Sequence, residues 1–267
     1  MRRLDLLLGG VVIGLAAFVG MQVVHAPRRA QSAEALAAEP GPARGAGEGH
    51  ERVEMVVTGR ARRRSPEELA EARRRLEVGG PGTWIDDVLR DHDSTLMHWR
   101  PRDSEPLRVW IQPAPHVPNR RPSFDAVVHD AFEAWAGAGA SVRVSFVRDS
   151  AAAEVPVTWV DRFTEDDRVG MTDISGRDGE IVSGAITFAT HVRTGHELDE
   201  TWMRAIALHE VGHLLGLPHA VSDTSSIMLA RATASRHELS LQDRATMRLL
   251  YLLPVGSLRS PGAPSPR

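Results

Sequence analysis

The stretch His209–His219, which reads HEVGHLLGLPH, decides how the chain folds. His209 and His213 are four residues apart, so on a helix they lie one turn apart on the same face and can reach one small cation. Gly216 can adopt the left-handed conformation that ends a helix, and the turn that follows can bring the last histidine back as a third ligand. Glu210 can approach the cation from the side without binding it. Three neutral nitrogen ligands suit zinc, and a fourth position left to water is typical of a catalytic site.

The order H-E-x-x-H-x-x-G-x-x-H resembles the signature of the metzincin metallopeptidases, and its flanking residues are most similar to the matrixin branch. Ser226–Met228 resembles the methionine turn that metzincins carry beneath the zinc. Residues 239–251, with LS-x-x-D followed by LY, have the order and spacing of the matrixin closing helix. The motif-level resemblance covers residues 206–251, and a pattern-level resemblance reaches back to about Leu107.

The resemblance implies an α+β fold with a twisted, mostly parallel sheet, a zinc helix and a C-terminal closing helix. It implies a zinc-dependent endopeptidase with zinc on His209, His213 and His219 and with a protein or peptide as substrate. Glu210 would accept a proton from the zinc-bound water and pass it to the departing amine, while Met228 would form an apolar floor. The alternative is a catalytically silent zinc- and peptide-binding module tethered to the cell envelope, and the intact Glu210 argues against it.

A second resemblance concerns the strand predicted around residue 186. In matrixins the corresponding edge strand lines the cleft and pairs with extended substrate, so Gly184, Ala185 and Ile186 are the predicted substrate-binding residues. Thr187 stands where the family has a ligand of a second, structural zinc, and Ala189 stands where it has a calcium-binding aspartate. We therefore expect one zinc per chain.

Two further groups of residues are weaker candidates. Asp173, Asp178 and Glu180 lie in a predicted glycine-containing loop that could bind calcium, although such residues are more often solvated turn formers. His191 and His196 are closest to the zinc motif among the other histidines, and they have no ligand spacing.

The N-terminal residues 1–26 predict a signal anchor or a signal peptide. Arg2 and Arg3 precede an uncharged apolar run, Leu6–Val24, whose roughly nineteen residues are at the short end of what spans a bilayer. The arginines favour an N-terminus inside the cytoplasm and an extracytoplasmic remainder. Pro27 would obstruct cleavage after the preceding small residues, which favours the membrane anchor over a secreted or periplasmic product.

The remaining boundaries follow from composition. Residues 27–82 contain few large apolar side chains and predict a flexible tether with one short, solvated helix capped by Ser65. Residues 83–254 form the predicted matrixin-like peptidase domain, and the Pro- and Ser-rich residues 255–267 predict a disordered tail.

Within the domain, hydrophobic periodicity and caps predict the elements that lead to the zinc helix and follow it. A short helix is expected from Thr83, and the longer helices are expected from Ser123, over Asp199–Leu215 and from Ser240. Strands are expected over residues 107–112, 141–147, 155–160 and 184–188.

Charge and cysteine content exclude several classes. A formal net charge of −3 gives no basis for nucleic acid as a partner, and nothing in the sequence indicates an oligomeric state. The chain has no cysteine, which excludes disulfides and thiolate zinc ligands. The matrixin propeptide normally keeps the enzyme latent with a cysteine on the zinc. Latency in this chain, if present, cannot use a thiol.

Overall fold

Helices and strands alternate around one sheet in the computed structural model, which describes residues 54–58, 64–231 and 233–258. These residues all belong to one unit of the chain, Gly45–Arg267. The predicted anchor or signal peptide, residues 1–26, lies outside the described residues. Within the described ranges, no helix is both long and apolar enough to cross a bilayer.

The helices agree closely with the caps and spacings in the sequence. Their bounds are α1 (Pro66–Gly79), α2 (Ile85–Asp91), α3 (Ser123–Gly137), α4 (Glu200–Leu214) and α5 (Leu241–Leu252). The zinc helix is α4 and the closing helix is α5, as predicted. Ser123 is the first residue of α3 and not its predicted cap.

The strands form one large and one small sheet. Their bounds are β1 (Glu54–Thr58), β2 (Thr95–Leu96), β3 (Arg102–Ile111), β4 (Val142–Phe146), β5 (Val155–Val160), β6 (Gly170–Arg177), β7 (Glu180–Ala189) and β8 (Gly256–Ser257). The large sheet has the order β1-β6-β7-β5-β3-β4, and only the β6–β7 pairing is antiparallel. The prediction of a mostly parallel sheet is therefore confirmed.

The predicted loop that carries Asp173, Asp178 and Glu180 is instead a β-hairpin. Asp173 lies on β6 and Glu180 begins β7, while Asp178 and Gly179 form the turn with positive φ angles of 58° and 87°. The loop prediction failed because β6 contains two glycines and an aspartate, which are poor strand formers. Pairing with β7 along its whole length overrides this local preference.

The short helix α1 is packed against the domain, whereas the sequence predicts a solvated helix in a tether. Leu69 and Ala72 are buried on its inner face. Arg64 donates to the carbonyl of Pro254 at 2.7 Å, and Arg75 donates to the carbonyl of Leu252 at 2.6 Å. The apolar face of α1 is small, and these two hydrogen bonds strengthen the attachment of the helix to the domain.

Both predicted flexible segments contain a short strand. In the tether, β1 pairs in parallel with β6, with Glu54 opposite Asp173 and Thr58 opposite Arg177. In the tail, β8 pairs with β2, and Leu258 is buried beside them. The tether and tail predictions are therefore wrong at these positions, while residues 27–53, 59–63 and 259–267 lie outside the described residues.

The zinc helix α4 lies at the centre of the core. Every residue from 205 to 214 is buried, because α3 packs on one side of the helix and β6 and β7 pack on another. A helix that is buried all round needs no amphipathic pattern. Its position explains why the metal-ligand motif, and not a hydrophobic stripe, is its clearest sequence feature.

Candidate metal centre

The two ends of α4 are fixed by different devices. At its start, the Asp199 carboxylate accepts from the Trp202 amide at 2.9 Å, as the sequence predicts. At its end, Gly216 has a φ of 103°, and a Cβ there would collide with the backbone of Met97. The Trp99 indole donates to the carbonyl of Leu214 at 2.8 Å. Trp99 lies 115 positions before Leu214, so no local sequence pattern predicts this hydrogen bond.

The three predicted histidine ligands converge. One ligand nitrogen from each of His209, His213 and His219 lies within 4.8 Å of the others. Their ring centroids are 4.6 to 5.4 Å apart, and His209 and His213 are almost fully buried. Within the described part of the chain, this is the one group of three or more histidine or acidic side chains close enough to hold a metal ion.

Backbone carbonyls fix the protonation of the two helical histidines. The Nδ1 atom of His209 lies 2.6 Å from the carbonyl of Ile227, and that of His213 lies 2.7 Å from the carbonyl of Leu217. A carbonyl can only accept, so each Nδ1 carries the proton and each Nε2 is left with a lone pair. The two Nε2 atoms are 2.9 Å apart. A cation bound to both satisfies these facing lone pairs, so the donor set fits a metal ion.

Glu210 lies beside this cluster with its carboxylate removed from solvent. Its relative exposure is 0%, and Oε2 accepts a hydrogen bond of 2.5 Å from the Thr172 hydroxyl. Oε1 is buried and has no hydrogen-bond partner among the described residues. A buried carboxylate oxygen in this state requires a donor. A water molecule at a metal held by the three imidazoles would be a suitable donor.

Thr172 could not be predicted as a site residue, because the sequence does not predict the strand β6 that carries it. Thr172 is completely buried on this strand, and its hydroxyl also lies 3.1 Å from the backbone carbonyl of Glu210. Gly170 lies on the same face of β6, and a Cβ at this position would collide with the Glu210 carboxylate. The strand therefore provides both the space and the hydrogen bond that hold the carboxylate.

Met228 packs directly against α4 at Gly212. It is fully buried, and a Cβ on Gly212 would collide with its sulfur. The preceding residue, Ile227, supplies the carbonyl that holds His209. The turn therefore orients a ligand through its backbone and packs against the helix through Met228.

The buried Asp243 connects this turn to α5. Its carboxylate accepts from the Ile227 amide at 3.0 Å and from the Ser226 hydroxyl at 2.5 Å, and it also accepts from the Ser240 amide in a capping box at the start of α5. The Trp84 indole donates to the same carboxylate at 3.1 Å. The closing helix thus stabilises the methionine turn through one carboxylate.

The predicted substrate strand is not an edge strand. Gly184, Ala185 and Ile186 lie on β7, which has β6 on one side and β5 on the other. The prediction is wrong because β6 lies between β7 and the edge of the sheet, and the sequence does not predict β6 as a strand. The backbone of β7 is therefore not open to strand addition.

The other residues considered in the sequence analysis lie outside the cluster of three histidines. Thr187 makes a 2.9 Å hydrogen bond with Thr158 across the sheet, and Ala189 is buried. His191 lies 2.8 Å from Asp161. His196 contributes its carbonyl to a turn, where it accepts from the amide of Val192.

Comparisons with known proteins show the family of the chain. A family profile for matrixins, peptidase family M10, matches residues 104–252, which is more than half of the chain. No curated protein sequence matches the chain. Two solved structures of myroilysin are similar at 15% and 14% identity, with TM-scores of 0.37 and 0.39. They cover 55% and 59% of this chain, and 82% and 97% of the myroilysin chains. The matched region contains the three histidines, Glu210 and Met228, and the chain belongs to the matrixin family of metallopeptidases.

Proposed function

We propose that the protein is a zinc-dependent endopeptidase that hydrolyses peptide bonds in extracytoplasmic proteins, with Glu210 as its general base. The observation that carries this proposal is the buried Glu210 oxygen, which lacks a partner among the described residues, beside three converging imidazoles. Family membership supports zinc as the metal, because matrixins are zinc-dependent peptidases. His209, His213 and His219 would hold one zinc ion.

The residues of the site suggest how the reaction proceeds. When bound, zinc supplies Lewis acidity and lowers the pKa of a water molecule towards neutrality. Glu210 accepts a proton from the attacking water at its carboxylate and returns it to the departing amine, so it serves first as base and then as acid. The Nδ1–H bonds of His209 and His213 keep both rings in the orientation that presents Nε2 to the metal.

The outer edge of β6 is the better candidate for substrate binding. Thr172 on this strand touches Glu210, so a peptide that pairs with β6 would run past the catalytic carboxylate. Part of this edge, from Asp173 to Arg177, is paired with β1 in the full chain. Substrate addition along that part therefore requires β1 to leave.

The proposed setting is outside the cytoplasm, with Leu6–Val24 as a membrane anchor. The basis is the pair of arginines before this apolar run. Extraction of membranes with carbonate at high pH should leave the full-length protein in the pellet, because a spanning segment resists this treatment. A soluble product whose N-terminal sequence starts at Pro27 or later would contradict the membrane anchor and show that the protein is secreted after cleavage.

Replacement of Glu210 by glutamine tests the proposed reaction. Glu210→Gln should lower the cleavage rate of a disordered protein substrate by about 10⁴-fold, the upper end for general-base catalysis, because the residue serves two proton transfers. One zinc per chain should remain, since the three imidazoles are untouched. His213→Ala should differ by losing both activity and most of the zinc. The measurements are the cleavage rate at neutral pH and elemental zinc analysis on the same samples.

Equal cleavage by the parent and Glu210→Gln would place the activity elsewhere. If the parent binds zinc and peptide but cleaves nothing, even after N-terminal truncation, the protein is a catalytically silent binding module and not a peptidase. Two zinc equivalents that survive His213→Ala would disprove the expected stoichiometry.

A further inference from the structure

The backbone after the third histidine is held by a residue more than 130 positions earlier in the chain. Oδ2 of Asp87 accepts hydrogen bonds of 2.8 Å from the amides of Val221 and Ser222 and from the Ser222 hydroxyl. Asp87 is only 3% exposed, and its other oxygen accepts from Arg90 at 2.7 Å. Hydrogen bonds to a carboxylate are stronger than those between neutral groups.

The third ligand depends on this support more than the other two do. His209 and His213 are carried by the helix α4 itself. His219 follows the helix end, in a segment without regular structure. Val221 cannot anchor this segment through its side chain, because it is 73% exposed. Leu217 and Ala220 are buried, and beyond them the backbone of Val221 and Ser222 is held by hydrogen bonds.

These hydrogen bonds come from two directions. The Ala220 amide donates to the carbonyl of Met228 at 2.8 Å, which ties the residue after His219 to the methionine turn. The next two residues are tied to Asp87. The loop is thus fixed between the methionine turn and α2.

The helix α2 is itself firmly anchored to the closing helix. Trp84, just before α2, donates through its amide to the Thr246 hydroxyl at 3.0 Å and through its indole to Asp243 at 3.1 Å. Ile85 and Val88 are buried in the core. Asp243 also holds the methionine turn, so α2 is part of the same rigid network that surrounds the metal ligands.

We propose that Asp87 is a positioning residue for the metal centre, which fixes the backbone of Val221 and Ser222 so that His219 is preorganised as the third ligand. This inference rests on the proposed function only in that the three histidines bind zinc. Asp87 lies outside the region matched by the matrixin profile, residues 104–252.

Zinc affinity, measured by competition with a chromogenic chelator, tests the proposal without any need for catalysis. Asp87→Ala should weaken zinc binding by about 10–100-fold, the usual effect of removing an outer partner of a metal site. Asp87→Asn should lose less, because its amide oxygen can still accept from the two backbone amides but carries no charge. Asp86→Ala is the matched control, since Asp86 is the adjacent acidic residue and is exposed. It should bind zinc like the parent.

A second control separates positioning from general stability. Leu69→Ala removes a buried side chain of α1 that is remote in sequence from the ligand loop. It should lower the melting temperature and leave the zinc affinity unchanged. Amide hydrogen exchange in the metal-free proteins supplies a readout that does not use zinc. The Val221 and Ser222 amides should be protected in the parent and in Asp86→Ala, and should exchange faster in Asp87→Asn.

The outcomes are distinguishable. A folded Asp87→Ala with parent-like zinc affinity overturns the inference and leaves the proposed function intact. Equal losses of affinity in Leu69→Ala and Asp87→Ala also overturn it, because both would then report only stability. If Asp87→Ala does not fold, parent-like exchange and affinity in Asp87→Asn overturn it. A parent that binds no zinc overturns the proposed function together with this inference.

Discussion

At the scale of single residues, the hydroxyl of a buried threonine on β6 holds the carboxylate of Glu210. His209, Glu210 and His213 are recognisable because an i, i+4 spacing on a helix has a direct geometric meaning. Thr172 is 38 positions from Glu210, and a lone threonine among poor strand formers carries no signal. Its hydrogen bond to the carboxylate exists only because β6 packs against α4. Partners of this kind are determined by the fold and not by a local pattern.

Thr172→Val tests whether this hydroxyl orients the catalytic carboxylate. Valine has nearly the same shape but cannot donate, so kcat should fall by about 10–100-fold while KM and zinc content change little. Thr172→Ser keeps the hydroxyl and should recover most of the rate. Thr187→Val is the matched control, because its hydroxyl bonds to Thr158 and not to Glu210. The idea fails if Thr172→Val retains parent kcat, or if Thr187→Val loses as much.

At the scale of elements, the helices were predicted better than the strands. The helices α4 and α5 carry their own start signals in Asp199 and Ser240, and both act as predicted. The strand β6 could not be recognised, because its pairing with β7 overrides its composition. Because β6 was not predicted, β7 was wrongly expected at the edge of the sheet. The role of α2 was equally hidden, since Asp87 has the appearance of an ordinary acidic residue in the first turn of a helix.

The carboxylate of Asp87 should make stability depend on pH at the acid end. Burial by itself would raise its pKa, but hydrogen bonds from the Ser222 and Val221 amides, the Ser222 hydroxyl and Arg90 outweigh burial and lower the pKa to about 2. The ordinary value is 3.8, so this contribution to stability is fully present above about pH 4 and is lost as the pH falls towards 2.

The comparison that isolates this effect is the metal-free parent against Asp87→Asn, unfolded by urea at several pH values. The parent should be more stable at pH 6, on the order of 1 kcal/mol, and the difference should shrink between pH 4 and pH 2. A difference that is constant from pH 6 to pH 2 would contradict the assigned pKa.

At the scale of the whole molecule, the segment before the peptidase domain is part of its architecture. Composition predicts a tether from residue 27 to residue 82, because the segment has little apolar surface. The structure places α1 against α5 and pairs β1 with the outer edge of β6. An edge strand exposes unpaired backbone groups, and β1 pairs with β6 from Asp173 to Arg177. The same edge lies next to Glu210 through Thr172.

This arrangement predicts latency without a thiol. Removal of residues 1–63 deletes β1, retains α1, and frees the β6 edge for substrate. If that edge is free in about one full-length molecule in ten, kcat/KM for a short extended peptide should rise about tenfold on truncation. Removal of residues 1–80 also deletes α1, with the buried Leu69 and the hydrogen bond from Arg75 to Leu252. That protein should melt at a lower temperature than the first truncation.

Proline substitutions in β1 separate strand occupancy from the loss of chain. In a parallel pair of strands, only alternate residues direct their backbone amide towards a given neighbour. Of Val56→Pro and Val57→Pro, one therefore removes a hydrogen bond to β6, and the other replaces an amide that points away from β6. In the full-length chain, one of these variants should therefore raise kcat/KM towards that of the truncated protein, and the other should raise it less. The measurement is initial-rate cleavage of a quenched peptide at matched zinc content. If neither the proline variants nor removal of residues 1–63 increases kcat/KM, β1 does not restrict the cleft, and substrate reaches Glu210 without displacing it.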